Sequence, residues 1–234
     1  LAAAAQLNPT EESFLATLTQ LQKQYPAALA KAALETVILR HKAQSKFTRA
    51  DSMYFSRAAL EMASSEIISR YRADRFAAFN SVADLCCGLG GDSIGLCANG
   101  RSLLAVDLDP LSLALAEQNL IAYGLSATFI QSDLTKDPLP PADAYFFDPG
   151  RRTEGKRHFS VRDYHPPLHR IDSWLPIPIG IKISPGVQWN EITGYDCEVE
   201  FISLDGELKE CVLWFGPFKT TARRATILRS SGSP

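Results

Sequence analysis

The chain reads as an α/β protein: an open, mostly parallel sheet finished by an antiparallel hairpin and preceded by a helical region. Three observations carry that expectation. Residues 1–80 show only helical periodicity, whereas from Val82 strand-like apolar runs alternate with helical ones. The apolar run Val82-Ala83-Asp84-Leu85-Cys86 breaks into Gly88-Leu89-Gly90-Gly91, and a helical pattern on Ile94, Leu96 and Cys97 follows. That strand–turn–helix unit offers backbone N–H groups to a nucleotide-like ligand. Near the end, two β-branched runs at 197–204 and 208–215 flank Asp205-Gly206-Glu207, a hairpin signal.

In order, Asn8-Pro9-Thr10-Glu11 predicts a helix start, with Asn8 as N-cap and Pro9 at the first helical position. The stripe Phe14, Leu15, Leu18, Leu21 then runs to Tyr25-Pro26. A second helix carries Leu29, Ala33, Val37 and Ile38, and a third pattern reaches Phe79 on Leu60, Ala63, Ile67 and Tyr71. This region holds ten Lys/Arg against seven acids, which suits a solvated bundle or a substrate-gripping appendage. Strands are expected at 82–86, 102–107, 127–131, 143–148 and 177–183, and helices at 91–99, 110–123 and 162–173. Pro110 opens one of these helices, with Asp109 as its capping acid. The expected division is a helical region over 1–80, an α/β domain over 81–218 and a tail over 219–234. The tail carries Lys219, Arg223, Arg224 and Arg229 with no acid, and reads as the start of a module beyond a chain that opens at Leu1.

Bulk charge selects no partner, since the net charge is −2. No apolar run approaches the roughly 18 residues of a membrane span. The five cysteines are odd in number and four sit in apolar patterns, as in a reduced, cytoplasmic protein. Cys86-Cys87 lacks the spacer of a zinc pair, and His158, His165 and His169 form no ligand pattern, so no metal is expected. The sequence leaves the oligomeric state open.

Acids mark the strand ends. Asp107 lies 19 positions beyond Gly88, near the spacing at which a carboxylate accepts both ribose hydroxyls. Asp133 follows the third strand, where it can accept from an adenine amino group, and Asp148 follows the fourth. Asp84, late in the first strand, either accepts from a ligand's amino group or braces the glycine turn.

As a set, Asp84-Leu85-Cys86-Cys87-Gly88-Leu89-Gly90-Gly91-Asp92, Val106-Asp107-Leu108-Asp109-Pro110 with Glu117-Gln118-Asn119, Ser132-Asp133-Leu134 and Asp148-Pro149 resemble class I S-adenosylmethionine-dependent methyltransferases. The resemblance covers about 82–216. It implies a seven-stranded, Rossmann-like sheet whose last strand inserts antiparallel. It also implies S-adenosyl-L-methionine as cofactor, with Asp84, Cys86, Gly88, Gly90, Gly91, Asp92, Asp107, Leu108, Asp133, Leu134 and Asp148 around it. More narrowly, the helix over 47–79, Asp148-Pro149-Gly150-Arg151-Arg152 and Ile181-Lys182-Ile183-Ser184-Pro185-Gly186 resemble bacterial methyltransferase-like proteins carrying a C-terminal THUMP-like module. Such modules grip RNA, so the resemblance implies an RNA substrate.

Methylation of an amino nitrogen needs its lone pair aimed at the sulfonium carbon, and positioning supplies much of the rate. Families that methylate exocyclic amines use Asp/Asn-Pro-Pro and an aromatic that stacks on the base. Here Asp148 and Pro149 are the catalytic candidates, but Gly150 and Arg151 replace the proline and the ring. Arg151, Arg152, Lys156, Arg157 and Arg162 stand against Glu154 in the following stretch, with Phe159, Tyr164 and His165 interleaved. That composition suits phosphates and unstacked bases. Lys182 lies within the apolar run 177–183, where it reaches the site or pairs with a sheet-edge acid. The substrate candidates are therefore Arg151, Arg152, Lys156, Arg157 and Lys182. A cofactor- or RNA-binding protein without turnover is the alternative that Gly150-Arg151 suggests. A nicotinamide oxidoreductase is disfavoured by the terminal hairpin and by Asp148-Pro149.

Overall fold

The computed structural model describes residues 1–97, 100–153, 156–157 and 160–230, with the backbone alone at 152–153 and 156–157. Five helices come first: α1 (Ala2–Gln6), α2 (Phe14–Leu21), α3 (Ala27–Ala43), α4 (Arg57–Met62) and α5 (Glu66–Asp74). Asn8 does not cap α2. It has φ +45°, and the helix begins after Ser13, where Thr10 and Ser13 exchange side-chain-to-backbone hydrogen bonds of 2.9 and 3.1 Å. The expected third helix is broken at Ala63-Ser64-Ser65, whose extended backbone at Ala63 and Ser65 separates α4 from α5. The break leaves Ser64 beside the sheet edge.

The α/β part follows as β1 (Ser81–Leu85), α6 (Gly91–Leu96), β2 (Ser102–Asp107), α7 (Pro110–Ala122), β3 (Thr128–Gln131) and β4 (Ala144–Phe147). Then come the short pair β5 (Arg152–Thr153) and β6 (Lys156–Arg157), and β7 (Ile179–Ile183), β8 (Glu198–Leu204), β9 (Glu207–Trp214) and β10 (Arg223–Leu228). Asp109 caps α7 as expected, accepting from Leu111 N and Ser112 N. No α-helix forms over 162–173. Two 3₁₀ segments, Val161–Asp163 and Leu168–Ser173, take its place, because Pro166-Pro167 lacks the N–H groups a helix needs.

The main sheet has eight strands in the order β10-β8-β9-β7-β4-β1-β2-β3. Antiparallel β9 sits between parallel-running β7 and β8, and Asp205 and Gly206 close the hairpin with φ of +52° and +83°. The count exceeds the expected seven by β10, which pairs parallel to β8 and comes from residues expected as a tail. Its attachment is electrostatic as well: Arg224 Nε donates to buried Glu198 at 2.8 Å.

β4 and β7 are buried along their whole length, as strands covered on both faces must be. One face carries Phe76, Phe146, Trp214 and Phe218 in mutual ring contact, together with Leu39, Phe47 and Met53 from the helical region. The helices therefore share the sheet's core. Helix α5 packs so closely on α6 that a Cβ on Gly95 would lie 2.4 Å from Ser69 Oγ.

Candidate active site

After β1 the chain moves outward through β2 and β3, and then returns to place β4 on the other side of β1. Ligands in open α/β sheets bind at the carboxyl ends of strands beside such a reversal. A cavity of about 330 Å³ opens there, within the size range of small-ligand sites. The turn after β1 forms its floor. Cys86 and Gly88 hold φ of +64° and +55°, and Gly90 holds +83°. No atom lies within 4 Å of where a Gly88 Cβ would project, so its backbone lies bare toward a ligand. Gly90 has another reason: a Cβ there would meet Leu120 Cδ1 at 3.0 Å and Ala116 Cα at 3.1 Å.

Of the expected cofactor residues, Cys86, Gly88, Gly91 and Asp92 line the cavity from the turn. Asp107 and Leu108 line it from β2, and Asp133 and Leu134 from the loop after β3. Asp148, Pro149 and Arg151 close it from β4. Gly90 and Asp84 do not line it. Asp107 accepts from Gly88 N (2.8 Å) with one oxygen and from Asp109 N (2.9 Å) with the other. Each oxygen keeps a further acceptor site. Burial raises the Asp107 pKa, against the N–H donors that lower it. Asp133 is spent largely on its own loop, accepting from Thr135 Oγ1 (2.6 Å) and N and pairing with Lys136. The Thr135 hydroxyl, Lys136 and the Thr135 N–H bring its pKa down to about 2.

Asp84 braces the turn instead of facing the cavity. It is fully buried, and its Oδ2 accepts from Ser93 Oγ of α6 at 2.5 Å. Burial, with Asp92 nearby, pushes its pKa to about 8, so it carries its proton at neutral pH. The Cys86 thiol is likewise raised by burial.

Beneath the cavity lies a charged floor. Lys182 Nζ donates to Asp148 Oδ2 at 2.6 Å and to Ser64 Oγ at 2.9 Å, and lies 3.9 Å from Asp92 Oδ2. Arg72 of α5 pairs with Asp92, and its Nε lies 3.1 Å from Glu210 Oε1. Burial works against the Lys182 charge, but Asp148 and Asp92 outweigh it and raise its pKa. Lys182 is 3% exposed and takes the sheet-edge acid as partner. An unpaired ammonium at that depth would be costly. The side chains of Arg152, Lys156 and Arg157 lie outside the described residues, as do Glu154, His158 and Phe159.

Sequence reasoning missed Arg72, Ser64 and Glu210. Arg72 reads as one surface cation among ten, and only the fold buries it. Glu210 carried a usable signal, an acid opening the apolar run Cys211-Val212-Leu213-Trp214-Phe215. His165 reaches the cavity because its backbone pairs with Gly150 in both directions, at 2.8 and 2.9 Å. A Cβ on Gly150 would lie 3.2 Å from His165 O, which accounts for the glycine after Pro149. Among the described residues no group of His, Cys, Asp and Glu has a metal-holding arrangement, and no helix is long and apolar enough to cross a membrane.

The inserted antiparallel strand, the glycine turn and the acids at successive strand ends are arranged as in class I methyltransferase domains, a class that uses S-adenosylmethionine. Residues 82–148 match the family described as a methyltransferase domain, and residues 1–43 match a domain of unknown function. An uncharacterized S-adenosylmethionine-dependent methyltransferase of Mycobacterium tuberculosis (strain CDC 1551 / Oshkosh) is 31% identical over 208 residues, 84% of this chain and 58% of the relative. The same figures hold for one from strain ATCC 25618 / H37Rv. The chain thus spans less than two thirds of the length of these relatives. The crystal structure of a provisionally named methyltransferase from Porphyromonas gingivalis W83 superposes with a TM-score of 0.67 at 20% identity, over 91% of this chain and 60% of that one. That likeness establishes the fold. The cofactor fits the donor set, since a bare glycine turn and an Asp107 carboxylate with open acceptor sites suit a nucleoside with a charged tail.

Proposed function

We propose that the chain is an S-adenosylmethionine-dependent methyltransferase that acts on RNA at a base nitrogen. The observation that carries this reading is Asp148, placed on the cavity wall beside the glycine turn with Oδ2 held by Lys182. Oδ1 has no hydrogen-bond partner among the described residues and is left to accept from an amino group. S-adenosylmethionine, when bound, supplies a methyl made electrophilic by its sulfonium. The chain's own part is positional: Asp148 orients the acceptor nitrogen, Asp107 holds the ribose, and no strong base is required for an amine. RNA is supported by the basic composition of 151–162 and by Arg151 on the cavity wall. His165 lines the cavity, and an imidazole is a ring on which an unstacked base can rest, which Gly150-Arg151 lacks.

Transfer of a labelled methyl group to bulk RNA tests this. Asp148→Ala should abolish transfer while S-adenosylhomocysteine still binds, and Asp107→Ala should lose binding first. Gly150-Arg151 motivates a second reading, cofactor or RNA binding without turnover, and intact cofactor binding with no transfer to any RNA would select it.

A further inference from the structure

A second cavity, of about 520 Å³, lies between the segment carrying Lys46 and Ser64-Ser65 and the β8–β9 hairpin. It shares Met62, Ala63, Ser64 and Arg151 with the first cavity, so the two adjoin across Lys182 and Asp148. Three of its wall residues hold buried polar atoms with no hydrogen-bond partner among the described residues: Ser65 Oγ, Arg151 Nη1 and Glu210 Oε1. Glu210 is 2% exposed, and its contact with Arg72 Nε brings the charges together without hydrogen-bond alignment. Buried polar groups in native proteins are paired in the great majority of cases. Two orphans and an unaligned carboxylate around one cavity therefore mark where a ligand's polar atoms belong.

The chemistry of the orphans describes that ligand. A guanidinium donor calls for an anionic oxygen. A buried carboxyl beside a serine hydroxyl calls for a hydroxyl, which both gives and accepts. Burial raises the Glu210 pKa against the pull of Arg72 and Lys182, which suits it to a neutral hydroxyl partner. The other cations are committed: Lys46 Nζ donates to the carbonyls of Leu60 (2.7 Å) and Ala63 (2.9 Å), Lys182 holds Asp148, and Lys209 pairs with Glu207. No Phe, Tyr, Trp or His lines the cavity among the described residues, so it offers a base no stacking surface.

We infer that the second cavity binds a sugar-phosphate unit of the acceptor, with Arg151 on the phosphate and Ser65 and Glu210 on ribose hydroxyls. Its role in presenting an acceptor rests on the methyltransferase reading, but the binding does not require turnover.

Titration of the isotopically labelled chain, saturated with S-adenosylhomocysteine, is followed by NMR with four probes: ribose 5-phosphate, free ribose, inorganic phosphate and adenosine. Ribose 5-phosphate should shift the amides of Ser65, Arg151 and Glu210 saturably and bind about tenfold more tightly than phosphate. Ser65→Val should weaken it severalfold with S-adenosylhomocysteine affinity unchanged, and Arg151→Met should erase the advantage of the phosphorylated sugar over free ribose. The proposal is overturned by equal affinity for phosphate, which would make this an anion site only. Shifts elsewhere, or adenosine perturbing the same amides as strongly, would overturn it too. These wild-type comparisons decide the matter even where a variant does not fold. If S-adenosylhomocysteine fails to bind while ribose 5-phosphate still does, the methyltransferase reading falls and the sugar-phosphate site stands.

Discussion

Removing the Lys182 ammonium should cost more stability than removing the Asp148 charge, and the difference should shrink in acid. Lys182→Met keeps the aliphatic stem in β7 and deletes only the charge and its two short hydrogen bonds. Asp92 still has Arg72, so Asp148 is the carboxylate left without a partner, with its side chain 23% exposed. Breaking a buried pair from one side costs about 3–5 kcal/mol, and the partial exposure of Asp148 points to the low end, about 3 kcal/mol. For a chain of this size that is a fall in Tm of about 6–12 °C. Asp148→Asn leaves Lys182 with Ser64 and the nearby Asp92, so about 1–2 kcal/mol is expected. The stranded carboxylate in Lys182→Met binds a proton more readily folded than unfolded, so the variant's deficit is full at pH 8 and shrinks toward pH 5. The raised Lys182 pKa keeps its contribution whole below about 10.4, to be lost only as pH rises through the folded value. Urea unfolding of both variants and the double variant at pH 5, 6.5 and 8 measures all of this. A loss below about 1 kcal/mol, equal deficits at pH 5 and pH 8, or strict additivity in the double variant would refute the reasoning.

Asp107→Ala removes the ribose acceptor and frees Gly88 N, and should weaken S-adenosylhomocysteine binding by about 10- to 100-fold in calorimetry. Gly90→Ala places a Cβ against Leu120 and Ala116 at a positive φ and should cost about 2 kcal/mol or more in chemical denaturation. Asp84, with its pKa up at about 8, gives stability that is full below its unfolded value of about 3.9 and is lost as pH rises through 8. Asp84→Asn should flatten that decline, so its Tm relative to wild type should be more favourable at pH 8 than at pH 5.

The sheet was legible because strands buried on both faces read as unbroken apolar runs, and because the turn residues between them are chemically distinctive. Asp107 was legible for the same reason: its distance from Gly88 is set by one helix and one strand, both visible in the pattern. β10 was not. Arg223 and Arg224 make it look like a solvated basic tail, and only Glu198, buried on the neighbouring strand, gives Arg224 a reason to be there. The helix expected over 162–173 failed on Pro166-Pro167, a local rule that the spacing of apolar residues outvoted. The charged floor was least legible of all. Its members lie far apart in the chain, and a pairing such as Lys182 with Ser64, 118 positions away, leaves no local trace.

That floor ties the helical region to the candidate site. Glu210 from β9 meets Arg72 from α5, Arg72 meets Asp92 from α6, and Lys182 from β7 lies between Asp92 and Asp148 at the end of β4. Arg72 also rests over the Phe146 ring, its guanidinium carbon 4.5 Å from the centroid. Buried ion pairs are weak sources of stability, and apolar residues of similar volume often serve as well. What apolar residues would not supply is a carboxylate held in one orientation at the rim of a cavity, and the Arg72–Asp92–Lys182–Asp148 chain supplies that. The region matched as a methyltransferase domain begins at residue 82, yet two of the groups that fix its catalytic candidate, Ser64 and Arg72, precede it. Stripped of residues 1–80, the sheet would keep its glycine turn and Asp107. It would leave Asp92 without Arg72 and the Lys182–Asp148 pair without its cover.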